Sequence, residues 1–182
     1  MLQKNTTIWC DMDGVVAVYD ANGFRGNNPP FLRPKQHYFR NCIPDEKMIK
    51  ALKLLHDIYH INIKIISNVA TELKQEHSLD KEKWLRKYMS FIDTTQDYYG
   101  IVIPKSQYVE EITNHKLRKT DILISDFNQD LLPWTQNGGT GIKYANGINN
   151  PHSYDGLHIP ETYTTTQIVN HLIDIINNLS QY

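Results

Sequence analysis

Cysteine is nearly missing from this chain, with only Cys10 and Cys42 among 182 residues. Two are too few for a disulfide framework, so both are expected as free thiols and the core must be apolar packing. No apolar run approaches the roughly 18 residues of a membrane span, and the opening MLQKNTT lacks the apolar centre of a signal peptide. The expectation is a cytoplasmic protein with no membrane partner. An excess of one charge is lacking as well, since 19 basic and 20 acidic residues leave −1. Without an overall positive field to gather nucleic acid or anionic lipid, any anionic ligand has to be held locally. Repeats and low-complexity segments are also lacking. What remains, 40% hydrophobic and 21% charged residues, suits one globular domain spanning 1–182, with room for a small appendage.

Apolar and β-branched runs alternate with helical patterns. Residues 6–10 read as a first strand, broken by Asp11-Met12-Asp13-Gly14. The stretch 20–38 is rich in Pro, Gly and Asn and has no helical period, so a small cap over 16–44 is expected. Met48, Ile49, Ala51, Leu52, Leu55 and Ile58 mark a helix over 45–59, entered through Pro44-Asp45-Glu46. A second strand is expected over 61–66, a helix over 80–90, a third strand over 99–103 stopped by Pro104, and a fourth strand over 121–124. A short helix over 131–136, a fifth strand over 141–144 and a closing helix over 164–180 complete the pattern. The alternation predicts an α/β fold with a mostly parallel sheet, helices on both faces, and ligands bound beyond the carboxyl ends of the strands.

The polar groups at those strand ends carry the chemistry. Asp11 and Asp13 follow the first strand, Ser67 the second, Lys105 the third, and Asp126 and Asp130 the fourth. Taken singly, each has a bland reading: a turn, a cap, a solvated lysine, a helix first turn. Taken in order, a parallel sheet gathers all of them at one edge. In an extended Asp-Met-Asp the two carboxylates point to the same side, and two like charges so close call for a cation or a proton. A hard, oxygen-seeking cation such as Mg²⁺ satisfies that need while keeping room for a phosphate oxygen.

Asp11-Met12-Asp13-Gly14-Val15, Ile65-Ile66-Ser67, Lys105, and Asp121 to Asp126 with Asp130 resemble, in order, the four motifs of haloacid-dehalogenase (HAD) superfamily phosphatases. Lys81-Glu82-Lys83-Trp84-Leu85, Pro104-Lys105-Ser106 and Asn137 to Lys143 are similar to the 5′(3′)-deoxyribonucleotidase group and its bacterial and phage relatives. The resemblance spans roughly residues 6–145 and implies a HAD-like Rossmannoid three-layer sandwich with a cap after the first strand. It implies that Asp11 is the nucleophile of an aspartyl-phosphate route and Asp13 the acid and base. It also implies Mg²⁺ on the Asp11 carboxylate, the Asp13 carbonyl and Asp126, with Asp130 in support, and Ser67, Asn68 and Lys105 on the phosphoryl oxygens. The fourth motif commonly carries paired acids, and here its first position is Ser125.

The implied substrate is a small phosphomonoester, a nucleoside monophosphate, with Phe24, Phe31, Tyr38 and Phe39 available to stack on a base. A 3′-phosphatase on polynucleotides, a sugar-phosphate phosphatase and a non-catalytic nucleotide-binding scaffold stand as alternatives. The oligomeric state is open, a homodimer included.

Overall fold

The computed structural model describes residues 6–19, 37–96, 98–147, 149 and 153–179. Seven strands and five α-helices follow one another as β1 (Thr7–Cys10), β2 (Ala17–Val18), β3 (Ile43–Pro44), α1 (Glu46–Tyr59), β4 (Asn62–Ile65), α2 (Lys74–Tyr88), α3 (Lys105–Thr113), β5 (Asp121–Ser125), α4 (Asn128–Gln136), β6 (Thr140–Ala145), β7 (Leu157–Pro160) and α5 (Thr165–Leu179). β4, β1, β5, β6 and β7 form, in that order, a sheet whose pairs are all parallel. This is the three-layer, parallel α/β architecture expected from the alternation of elements. No helix among the described residues is long and apolar enough to cross a membrane.

Both faces of this sheet are covered, so the inner strands β1, β5 and β6 are buried almost throughout, whereas the edge strand β4 alternates Asn62 and Lys64 with buried Ile63 and Ile65. Side chains still point to opposite faces residue by residue. Ile8, Cys10, Ile122, Ile124 and Ile142 face a core completed by Leu52 and Leu55 of α1 and Ile168 and Leu172 of α5. Trp9 and Leu123 face the opposite core, with Leu131 and Trp134 of α4 and Val109 of α3. Helix α1 starts where expected because the Asp45 side chain accepts from the Met48 amide at 3.0 Å. It ends at His60, which adopts a left-handed conformation with φ 54°.

Two expected elements differ, and the strand β7 was not expected. The segment 99–103 is not a sheet strand: among its residues only Ile101 pairs, in a single bridge with Asn68. The Asn68 carboxamide donates to the carbonyls of Ile101 and Ile103, and Pro104 offers no amide to extend the pairing. Lys105 therefore begins helix α3 instead of trailing a strand. Helix α2 begins at Lys74, six residues ahead of the expected start. β7 had no clear signal because it is a four-residue edge strand that ends in proline.

The proposed cap falls largely outside the described residues, as do Phe24 and Phe31. Its two stems are described: Ala17 pairs with Pro44 and Val18 with Ile43 in an antiparallel ladder, so the excursion leaves and returns at one point.

Candidate active site

Strand order and register place the site. Cys10 is level with Ile65 of β4 on one side and Ile124 of β5 on the other. The next residues of β1 therefore emerge between Ser67 and Asp126, at the carboxyl edge where the sheet order reverses. Asp11, Asp13, Ser67, Asn68, Lys105, Asp126 and Asp130 all line one cavity of about 540 Å³. This is an ordinary size for a small-molecule site. Residues spread over 120 positions of sequence are thus brought together, as the strand-end reading requires.

After Asp13 the chain reverses tightly: the amides of Val15, Val16 and Ala17 all donate to the Met12 carbonyl. Gly14 makes this turn with φ 78°, and a Cβ there would come within 2.3 Å of the Asp126 carboxylate. Glycine is demanded both by the backbone conformation and by the approach of that acid.

The anions are held by two buried lysines. Lys105 Nζ lies 2.5 Å from Asp11 Oδ2 and 2.6 Å from Asp130 Oδ2. Burial opposes its charge, but the Asp11 and Asp130 carboxylates outweigh burial and hold the ammonium well above the ordinary lysine range. Lys81 Nζ lies 2.7 Å from Asp13 Oδ2, 2.7 Å from Ser67 Oγ and 2.9 Å from the Asn68 carbonyl. Ser125 Oγ lies 3.2 Å from Asp11 Oδ2 and 3.3 Å from Asp130 Oδ2, and accepts the Phe127 amide at 3.1 Å. A hydroxyl has one proton, so it serves one carboxylate at a time while pinning the loop that carries Asp126. Asn68 reaches the cavity wall, but its amide protons go to Ile101 and Ile103.

Asp126 is held differently. Its Oδ2 accepts from Asn149 Nδ2 at 2.8 Å and Asn146 Nδ2 at 3.1 Å. The β6–β7 loop carrying both amides is anchored by Lys143, whose Nζ reaches the Asp126 carbonyl, Asn128 Oδ1 and the Asn149 carbonyl, each at 2.6 Å. Burial, followed by the charge of Asp11, pushes the Asp126 carboxyl up to about 6. Burial raises Asp13 and Asp130 as well, against the opposing pull of Lys81 and Lys105 respectively.

Four carboxylates thus meet two ammonium groups, and three of the acids are pushed toward protonation by burial. A divalent cation fits such a surplus of anionic oxygen. Asp11 and Asp126 on the adjoining ends of β1 and β5, with the Asp13 backbone, are the donors available to hold one.

Lys81, Lys143, Asn146 and Asn149 were not singled out for these roles by sequence reasoning. A lysine inside the apolar run Gly141-Ile142-Lys143-Tyr144 was a usable signal, because lysines are seldom buried without a task. Lys81 stood within the segment quoted for the nucleotidase resemblance. Tyr19 also lines the cavity. Phe39 lines it while being 3% exposed, its ring against His77 at 4.9 Å and Tyr38 at 5.2 Å. Tyr38 packs beside it against Tyr19. Lys116 is exposed and paired with Glu110, away from the cavity lining.

No protein-family model and no curated protein matches the chain. Solved structures do. A hydrolase from Pseudomonas syringae is 15% identical with a TM-score of 0.58, over 94% of this chain and 99% of that one. A HAD-superfamily hydrolase from Ehrlichia chaffeensis is 17% identical with a TM-score of 0.49, over 100% of this chain and 98% of that one. At such identities it is the fold alone that is shared, with the Pseudomonas syringae hydrolase over 94% of this chain.

Proposed function

We propose that the chain is a Mg²⁺-dependent phosphomonoester hydrolase of the HAD superfamily that works through an aspartyl-phosphate and takes a nucleoside monophosphate. The observation that carries this reading is the pair Asp11 and Asp13 on one cavity wall, each held by its own buried lysine. The ordered motif resemblance and the fold shared with a named hydrolase agree with it.

Asp11 attacks phosphorus, and the bond from phosphorus to the leaving oxygen breaks as the Asp11–phosphorus bond forms. Asp13 gives its proton to the departing oxygen. Asp13 then takes a proton from water, whose oxygen attacks phosphorus and returns Asp11 to a free carboxylate. Burial raises the affinity of Asp13 for its proton, which suits the first step, and the nearby Lys81 pulls the other way, favouring its release. Lys105 would neutralise charge on the transferring oxygens, and the Ser67 hydroxyl would donate to them. When bound, Mg²⁺ supplies charge neutralisation at the phosphoryl group and orients it for in-line attack. Tyr19 and Phe39, at the described stems of the cap segment, line the cavity and would serve selection.

The test is phosphate release from a panel of nucleoside monophosphates and sugar phosphates, with Mg²⁺ and with chelator. Mg²⁺-dependent turnover favouring nucleotides is expected. Turnover confined to sugar phosphates would refute the nucleotidase reading, and none on any phosphomonoester would refute the hydrolase.

A further inference from the structure

A phosphoryl group held at Asp11 and Lys105 fills only part of a cavity of about 540 Å³, and the remaining space is walled by groups the scheme above does not use. One wall belongs to helix α4 and the residue before it, where Phe127, Gln129 and Pro133 line the cavity beside Asp126 and Asp130. Gln129, Asp130 and Pro133 recur at the spacing of one helical face, so a single element presents an acid of the site and a neutral surface next to it.

Phe127 is the ring with surface to offer. It is 40% exposed and belongs to neither hydrophobic core. Phe39, which also lines the cavity, is 3% exposed and already packs on His77, Tyr38 and the Lys81 ammonium, 4.3 Å from its ring centroid. The Phe127 backbone is fixed on both sides: its amide donates to Ser125 Oγ at 3.1 Å, and its carbonyl accepts the amides of Asp130 and Leu131 at 3.1 and 3.3 Å. An exposed ring on a pinned backbone is preorganised, since a ligand that covers it has little chain to immobilise. Pro133 adds a second flat apolar surface one turn beyond Gln129, and it has no amide for the Gln129 carbonyl. The exposed Gln129 side chain beside them is a neutral donor and acceptor.

We infer that this face of α4 is the subsite for the leaving group, with Phe127 and Pro133 receiving a flat aromatic ring and Gln129 meeting polar atoms at the edge of that ring. The inference rests on the hydrolase reading and deepens it by naming the substrate class: a phosphomonoester whose leaving alcohol carries a heteroaromatic base. A bare sugar phosphate makes the same phosphoryl contacts and leaves this wall to water. No bond forms or breaks at the subsite; it contributes binding energy to the ester before Asp11 attacks.

Adenosine 5′-monophosphate and ribose 5-phosphate share the phosphorylated carbon and differ by the base, so the ratio of their kcat/KM values reads the subsite alone. In the wild-type chain that ratio should favour the nucleotide. In Phe127→Ala it should shrink by about tenfold, the scale of one ring stacked on a base, and Phe127→Trp should preserve it. A ratio unchanged in Phe127→Ala, or lost equally in Phe127→Trp, would overturn the inference. Should Phe127→Ala not fold, Phe127→Leu keeps apolar bulk without the ring face and should still lose most of the preference; a full preference in that variant overturns the inference too.

Binding gives a reading without turnover. Calorimetry with adenosine 5′-monophosphate should show about tenfold weaker binding to Asp11→Asn with Phe127→Ala than to Asp11→Asn alone, and equal binding would overturn the subsite. A wild-type chain that turns over both esters equally well overturns the subsite and leaves the hydrolase standing. One that turns over neither overturns the hydrolase reading, and this inference with it.

Discussion

The two halves of the cavity solve the same problem, a buried carboxylate, by different means. On the side of β1 and β4, Asp13 is met by an ammonium group and a hydroxyl. On the side of β5 and β6, Asp126 is met by two neutral carboxamides. A full charge offsets a full charge; a pair of amide dipoles orients a carboxylate but leaves most of its charge in place. Asp126, pushed up to about 6 by burial and by Asp11, is therefore the half that calls for an external cation. On the proposed reading, the difference gives proton transfer to Asp13 and metal binding to Asp126.

The largest expected effect removes what the halves share. Asp11→Asn leaves the cavity walls in place but replaces the attacking carboxylate, and turnover should fall by roughly 10⁴ or more, with no phosphoenzyme trapped on acid quench. Activity at the wild-type level would end the aspartyl-phosphate scheme.

Asp13→Asn and Asp126→Asn should then part company. The first should lower kcat by about 10²–10⁴ while Mg²⁺ binding, measured by calorimetry, largely survives. The second should raise the Mg²⁺ concentration needed for half-maximal rate well before it harms the rate at saturation. Identical Mg²⁺ profiles in the two variants would erase the distinction between the halves.

A smaller effect is expected one layer out. Asn149→Ala takes one of the two carboxamides from Asp126 Oδ2, and loss of such a supporting bond costs about 10–100-fold in metal affinity or activity. Restored activity at high Mg²⁺ would locate the defect at the metal half; a loss insensitive to Mg²⁺ would place Asn149 elsewhere in the mechanism.

The smallest effect concerns stability. In the folded chain Asp126 keeps its proton up to about 6, whereas in the unfolded chain it releases it near 4. The folded state binds more protons in that window, so this group's contribution is present below about 4 and lost as pH rises through about 6. Without divalent cation, the melting temperature should fall by a few degrees over that interval. Added Mg²⁺ should restore it above pH 6. A metal-free melting temperature that rises over the interval would contradict the placement of Asp126.

Much of this was readable from residue order. Asp11, Asp13, Ser67 and Asp126 follow apolar strands, and any parallel sheet collects such positions at one edge. Lys105 was assigned to the site for the wrong local reason, since it opens helix α3 and follows no strand. It reaches Asp11 because the Asn68 carboxamide and Pro104 end the preceding segment where they do.

The sequence by itself determined the alternation of strands and helices, because side-chain periodicity and chain breakers act over a few neighbouring residues. It determined the acids at the strand ends for the same reason. Only the tertiary structure decided that Lys81, 68 positions from Asp13, would donate to that acid, to Ser67 and to the Asn68 carbonyl. Likewise only folding brings Asn146 and Asn149 to Asp126 across a strand, and Asn146 to the carbonyl of Gly14, 132 positions away. Such partners are chosen by strand order and register, which pattern along the chain does not encode. They stay paired because a buried charge left without them costs several kcal/mol.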